Sequence, residues 1–333
     1  MKAFIVDKYG KGKPLRAGDV PEPELHADEV LIEVHAAAVN LLDSKVRDGE
    51  FKLFLPYRTP FVLGHDVAGV VVRVGPRVRQ FKAGDEVYAR PADMRIGTFA
   101  EYVAVSEDAV ALKPKNITME EAASIPLVGL TAWQALVEMA HLRKGQKVFI
   151  QAGSGGVGTF AIQLAKHLGA TVATTTSAGN AALVKSLGAD VVVDYKKEAF
   201  EERLQGYDVV LNSQDGQTLK KSLGVLKPGG HLISISGPAD MQFAEDIKAS
   251  WPLKQVMRAL GFSVRRQAKR LQLHYAFLFM KASGSQLKQI AALIEDGAIR
   301  PVVDKVFPFE ATNDALAYVE SGRAKGKVVI KVR

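Results

Sequence analysis

The stretch Gln151-Ala152-Gly153-Ser154-Gly155-Gly156-Val157-Gly158 decides the fold. Its glycines at 153, 155 and 158 follow the order G-x-G-x-x-G. That pattern is common by itself, and its setting makes it specific. The apolar run Lys147–Gln151 before it reads as a strand. After it, Val157, Phe160, Ala161, Leu164, Ala165 and Leu168 recur at i, i+3/i+4 and i+7, which predicts a helix. Gly169 then stands where a left-handed residue closes such a helix. A strand–glycine loop–helix unit offers free backbone N–H groups and the positive end of a helix dipole to a pyrophosphate. The glycines remove the Cβ atoms that would keep the phosphates away. Ala152, Gly153, Gly155, Gly156, Val157 and Gly158 are therefore candidate cofactor contacts.

The next strand refines the ligand. Dinucleotide sites that prefer NAD carry Asp or Glu at its end, about 20 residues on, to hold the ribose hydroxyls. Here the sequence runs Thr174-Thr175-Thr176-Ser177-Ala178-Gly179-Asn180, without an acid. Nothing there repels a 2′-phosphate, so the expected cofactor is NADP(H), with Thr176, Ser177 and Asn180 beside it.

Outward from the loop, strand-like runs at 147–151, 171–175, 191–195, 208–212, 231–236 and 275–280 alternate with helical patterns. Six strands in such a series predict a doubly wound parallel sheet. Residues 1–115 differ: short β-rich runs between Gly, Pro and Asp turns suggest a barrel-like or sandwich-like β domain. Residues 117–141 have helical spacing, with Thr118 as N-cap. Beyond residue 284, helix, strand, helix and strand follow without a further nucleotide signature, a tail able to return to the first domain. The expected division is residues 1–120 with 284–333, and 121–283.

Composition bounds the function. The chain has 333 residues, 47% hydrophobic and 24% charged, as an ordinary globular protein of about two domains does. It has no cysteine, which excludes a disulfide framework, a thiolate nucleophile and any Cys-ligated metal. The N-terminal apolar run breaks at Asp7, short of the about 7–15 residues of a signal peptide core, so a soluble cytoplasmic protein is expected. The formal net charge is +8, yet residues 247–294 contain nine Lys and Arg and no acid. Aromatic residues are sparse there, and neither a nucleic-acid nor a membrane partner is expected. A solvated helix face, or a basic rim attracting an anionic substrate, accounts for the charge.

Further landmarks are Ala38-Val39-Asn40-Leu41-Leu42-Asp43, Gly64-His65-Asp66-Val67-Ala68-Gly69, Gly84-Asp85-Glu86-Val87-Tyr88, Gly97-Thr98-Phe99-Ala100-Glu101-Tyr102, Leu226-Lys227-Pro228-Gly229-Gly230 and Gly326-Lys327-Val328-Val329. With the glycine loop, this series resembles the medium-chain dehydrogenase/reductase superfamily. Within it, the chain is similar to the zinc-independent quinone oxidoreductase and alkenal/enone oxidoreductase branch. The resemblance spans nearly the whole chain. It implies a GroES-like catalytic domain built from both chain ends, a Rossmann domain, and direct hydride transfer between nicotinamide and substrate. Zinc-dependent members supply Cys, a Gly-His-Glu His and a further Cys or Asp. Here those regions read Ala36–Asn40 and Ser124–Leu127, and only His65 survives, where zinc needs three protein ligands.

The expected chemistry is hydride delivery from NADPH to an acceptor that is already electrophilic, an enone, an enal or a quinone; the alternatives are a quinone reductase without enone activity and a non-catalytic NADPH-binding regulatory protein. The resemblance implies that Asn40 and Asp43 form the floor of the nicotinamide site and that Lys45 neutralises developing charge. Tyr57 is a candidate phenolic donor. It further implies Thr131, Tyr195, Asn212, Ser213, Ser236, Gly237 and Lys327 as cofactor contacts. The chain departs from the family pattern at Asn180, where relatives often have Lys, and at Asn212–Asp215, where they have Asp-x-x-Gly. Relatives pair across the sheet edge near His274–Met280, so a homodimer is expected.

Overall fold

The structure is a computed structural model that describes residues 1–333. It divides into two compact units, Met1–Leu130 with Lys281–Arg333, and Thr131–Met280.

The second unit carries a six-stranded, wholly parallel sheet. Across the sheet the strands lie in the order Val191–Asp194, Thr171–Thr176, Lys147–Ile150, Tyr207–Asn212, Leu226–Ser234, His274–Phe277. Val148, Phe149 and Ile150 have no exposed surface, as expected of a strand covered on both faces. Lys147–Ile150 lies between the second and fourth strands, so the order of connection reverses beside it. The carboxyl ends of strands at such a reversal are where α/β sheets bind ligands. The helix Gly156–His167 starts there and ends before Gly169, whose φ is +79°.

The first unit is built on the long strand Glu29–Val39. Asp66–Val74 pairs with it on one side and Lys327–Lys331 on the other. Glu86–Ala89, Val110–Leu112 and Val303–Pro308 extend the sheet, and Tyr102–Ser106 also pairs with Glu29–Val39. A smaller antiparallel sheet joins Arg16–Asp19, Lys2–Val6 and Phe61–Val62. The C-terminal tail thus returns to the first unit, with Val328 opposite Val39.

Two local expectations differ from the structure. The single helical run over 117–141 is broken into Met119–Ala123, Pro126–Trp133 and a π-helical turn, Gln134–Met139. Pro126 has no N–H to continue the first helix and opens the second instead. The last strand of the parallel sheet is His274–Phe277, shorter than the run 275–280.

Candidate functional site

The glycine loop is shaped by its own backbone. Ala152 adopts φ +50°, an unusual conformation for a residue with a side chain. Its N–H donates to Thr175 Oγ1 at 3.1 Å, and the Gly153 N–H donates to Thr175 O at 2.9 Å. A Cβ at Gly158 would lie 2.4 Å from Ala152 O and 2.7 Å from Gly153 Cα, so no larger residue fits. Gly155 caps the helix that begins at Gly156. The loop therefore crosses tightly over a helix N-terminus, where free N–H groups suit a phosphate.

Beside it lies a cluster of neutral polar groups. Thr176 Oγ1 and Asn180 Nδ2 donate to Ser154 Oγ at 3.0 and 3.2 Å. Ser177 follows in the chain, and the Tyr195 N–H donates to Thr176 O while its ring stays largely exposed. Asp194 pairs in register with Thr176, but its Oδ1 accepts the Lys196 N–H at 3.1 Å. Ser154 was missed as a contact in the sequence, because its link to Asn180 joins two separate loops.

At the ends of the fourth and fifth strands, Asn212 is fully buried. Its Nδ2 donates to Gln151 Oε1 at 2.7 Å, and its Oδ1 accepts from Ser234 Oγ at 2.7 Å and Ser236 Oγ at 3.3 Å. Gln151 Nε2 donates to Ser222 Oγ at 2.5 Å, and the Gly237 N–H to Ser234 Oγ at 2.8 Å. The Asn212 amide is thus committed inward, and the Ser234 hydroxyl that donates to it accepts the backbone N–H groups of Ser236 and Gly237. Gln214 Nε2 donates to Ser213 Oγ at 3.4 Å, and Thr131 is buried.

The first unit holds a second constellation, where the strand Glu29–Val39 runs into the helix Leu41–Asp48. The Asn40 N–H donates to Asp43 Oδ2 at 2.7 Å, fixing the helix start. Asp43 Oδ1 lies 2.6 Å from His65 Nδ1. Asn40 Nδ2 donates to Asp66 Oδ2 at 2.9 Å and, more loosely, to Ala38 O at 3.4 Å. Lys327 Nζ donates to Asn40 Oδ1 at 2.5 Å, Asp66 Oδ2 at 3.1 Å and Val39 O at 3.3 Å. Asp66 Oδ1 accepts the Leu127 N–H at 2.7 Å. Asp43, His65 and Asp66 are wholly buried, and Asn40 and Lys327 nearly so. All three N–H donors of Lys327, expected at the cofactor, are spent in this network.

Two candidates stand apart from the network. Lys45 Nζ lies 3.7 Å from Glu50 and is half-exposed. Tyr57 is buried, stacks on Phe61 at 5.0 Å and accepts the Met94 N–H on its hydroxyl at 3.3 Å. Burial, with the carboxylates of Asp93 and Asp43 nearby, pushes its pKa up to about 12. Asp66 was missed as a site residue. Its partners lie 26 and 261 positions away in the chain, a meeting no spacing rule shows.

Comparisons with known proteins show the family of the chain. Residues 26–115 match the family described as alcohol dehydrogenase GroES-like domain, and residues 187–330 match zinc-binding dehydrogenase. The chain is 38% identical to mouse (Mus musculus) "NAD(P)H oxidoreductase RTN4IP1, mitochondrial", covering 100% of this chain and 89% of that protein. It is 38% identical to an Arabidopsis thaliana "NADPH-dependent alkenal/one oxidoreductase, chloroplastic", over 99% of this chain and 79% of the other. The structure of the quinone oxidoreductase from Coxiella burnetii superposes with a TM-score of 0.88 at 32% identity, covering 100% of this chain and 99% of that one. The names of the mouse and Arabidopsis relatives place them in organelles, so they do not carry the expected cytoplasmic location. No helix of this chain is long and apolar enough to cross a membrane.

The zinc in one family's name does not fit these residues. His65 Nδ1 is taken by Asp43, and its Nε2 is buried without a polar partner. No group of three His, Asp or Glu residues is placed to hold a metal ion, and a cation, Lys327, already occupies the carboxylate of Asp66.

Proposed function

Because the chain belongs to the medium-chain dehydrogenase/reductase superfamily, we propose that this oxidoreductase uses NADPH to reduce the activated C=C bond of an enone or enal, or a quinone. The network around Asn40 carries the reading: it offers a polarised amide and an ammonium, but no set of metal ligands. Alcohol oxidation through a metal-bound alkoxide has no donors here. An acceptor that is already electrophilic needs only alignment and hydrogen-bond donors.

NADPH, when bound, supplies a hydride to the β-carbon of the acceptor. The glycine loop and the N-terminus of the helix Gly156–His167 hold the pyrophosphate, while Ser154, Thr176, Ser177, Asn180 and Tyr195 receive the 2′-phosphate. As the carbonyl oxygen gathers negative charge, the loosely held Nδ2 hydrogen of Asn40 is the available donor. Lys327 on Asn40 Oδ1 polarises that amide and strengthens its N–H. Asp43 fixes the turn that aims it. The Tyr57 hydroxyl keeps its proton at neutral pH and serves as a second donor. A proton taken from solvent water at the α-carbon, leaving hydroxide to be neutralised by the buffer, completes the reduction.

The test is NADPH and NADH oxidation by chelator-treated protein with a short enone, an enal, a naphthoquinone and an enoyl thioester. Turnover with NADPH and the enone or enal supports alkene reduction, and Asn40→Ala then lowers kcat without changing NADPH affinity. Turnover with the quinone alone selects the activity named for the Coxiella protein. NADPH binding without turnover on any acceptor would make the chain a non-catalytic binding protein. We also propose a homodimer through the outer edge of His274–Phe277, which pairs with only one neighbouring strand in its sheet; a monomeric mass in light scattering would remove it.

A further inference from the structure

The helices Trp251–Leu260 and Phe262–Arg270 connect the fifth and sixth strands of the parallel sheet. Their buried faces are small: Met257 in the first, Val264 and Ala268 in the second. Large apolar side chains are exposed along the first helix and at the start of the second. Trp251 is 73% exposed, Leu260 70%, Phe262 58% and Val256 54%. Single apolar residues are normal on a protein surface, but four large ones exposed within residues 251–262 are not scattered singly. Pro252, Val256 and Leu260 recur every fourth residue, on one side of their helix. Arg266, Lys269 and Arg270 recur at i, i+3 and i+4 and are all exposed on the other helix. Lys248, Lys254, Arg258 and Arg265 lie among them, and no acid occurs from Ile247 to Ile294.

We propose that this helix pair is a docking surface for anionic lipid headgroups, which holds the protein against a membrane face without crossing it. Exposed Trp, Leu and Phe enter the headgroup–acyl boundary, while Lys and Arg meet the lipid phosphates. A second copy is a poor occupant. Two-fold contact through this face sets cations against cations, with no acid in the segment to answer them. A nucleic acid satisfies the cations but leaves Val256 and Leu260 without an apolar counterpart. The sequence alone pointed away from a membrane because aromatic residues are few. The proposal departs from that expectation on the exposure of Trp251, Leu260 and Phe262. The proposal does not depend on the reductase reading.

The test is flotation of the full chain with vesicles of phosphatidylcholine alone and with phosphatidylserine added, read with tryptophan emission. The chain has only Trp133 and Trp251. The expected result is binding to phosphatidylserine vesicles alone, lost in high salt, with a blue shift that is absent in Trp251→Phe. The triple variant Arg266→Gln, Lys269→Gln, Arg270→Gln weakens binding about 100-fold, at roughly fivefold per cation removed. Leu260→Ser weakens it as well. These residues are exposed, and unchanged thermal midpoints verify that both variants fold. Several results overturn the proposal: no flotation with either vesicle, flotation that survives the triple variant, duplex DNA binding without vesicle binding, or Leu260→Ser converting a dimer to monomers while leaving flotation intact.

Discussion

Replacing Lys327 by Met tests whether the constellation around Asn40 is a single coupled unit. The ammonium is nearly buried, the Asp66 carboxylate wholly so, and they lie 3.1 Å apart. Met matches the length of the lysine stem but removes three donors. Asp66 Oδ2 then keeps only Asn40 Nδ2, and Asn40 Oδ1 and Val39 O lose the ammonium. Breaking a buried pair by removing one partner costs about 3–5 kcal/mol, because the remaining charge stays desolvated. At about 2–4 °C per kcal/mol for a domain of about 150–250 residues, the first unit should melt about 6–20 °C lower. Adding Asp66→Asn removes the stranded charge, and the amide carbonyl it introduces still accepts the Leu127 N–H. The double variant should therefore be more stable than Lys327→Met alone, which a double-mutant cycle by calorimetry measures directly. NADPH affinity should not change in either variant. A Lys327→Met protein that melts within about 2 °C of the parent would falsify the coupling, because so small a change is far below the cost of stranding a buried charge.

Gly158→Ala should abolish measurable NADPH binding in fluorescence titration, since its Cβ would collide with Ala152 O and Gly153 Cα and spread the loop; unchanged affinity would show that the loop does not hold the phosphates. The Tyr57 phenol should ionise only near pH 12 in ultraviolet difference titration, compared with Tyr57→Phe. With its pKa raised above the ordinary 10, its contribution to stability is complete below pH 10 and is lost as the pH rises toward 12. His231 has the opposite sign. Burial first, then the neighbouring His274 and His141, lowers its pKa below the usual 6.5. The rings of His231 and His274 stack at 4.7 Å. Folding stability should therefore be complete above pH 6.5 and decline as the pH falls below it, and His231→Asn should flatten that decline in thermal melts at pH 5 and pH 7.

The glycine loop and the alternation of strands and helices were legible because they rest on local chemistry. Glycine spacing fixes a tight turn, and apolar periodicity fixes which face is buried, so residues 147–169 declare a strand, a loop and a helix without reference to anything distant. The neutral end of the second strand could be read for the same reason. The break at Pro126 is local too, since a proline lacks the N–H that would continue the helix before it.

The polar network could not be read this way. Asn40, Asp66 and Lys327 meet because Asp66 pairs in register opposite Ala38 and the C-terminal strand lies on the other side of Val39. Those registers are set by sheet pairing across most of the chain, and no rule of spacing carries that far. The same holds for the surface. Composition showed a basic, acid-free segment, but only packing decided that Met257, Val264 and Ala268 turn inward while Trp251, Leu260 and Phe262 face solvent. The sequence by itself determined the fold class and the strand–loop–helix unit of the cofactor motif, because both follow from which residues stand next to one another. Tertiary structure decided which charges share a buried site and which apolar side chains stay uncovered, because both depend on contacts between segments far apart in the chain.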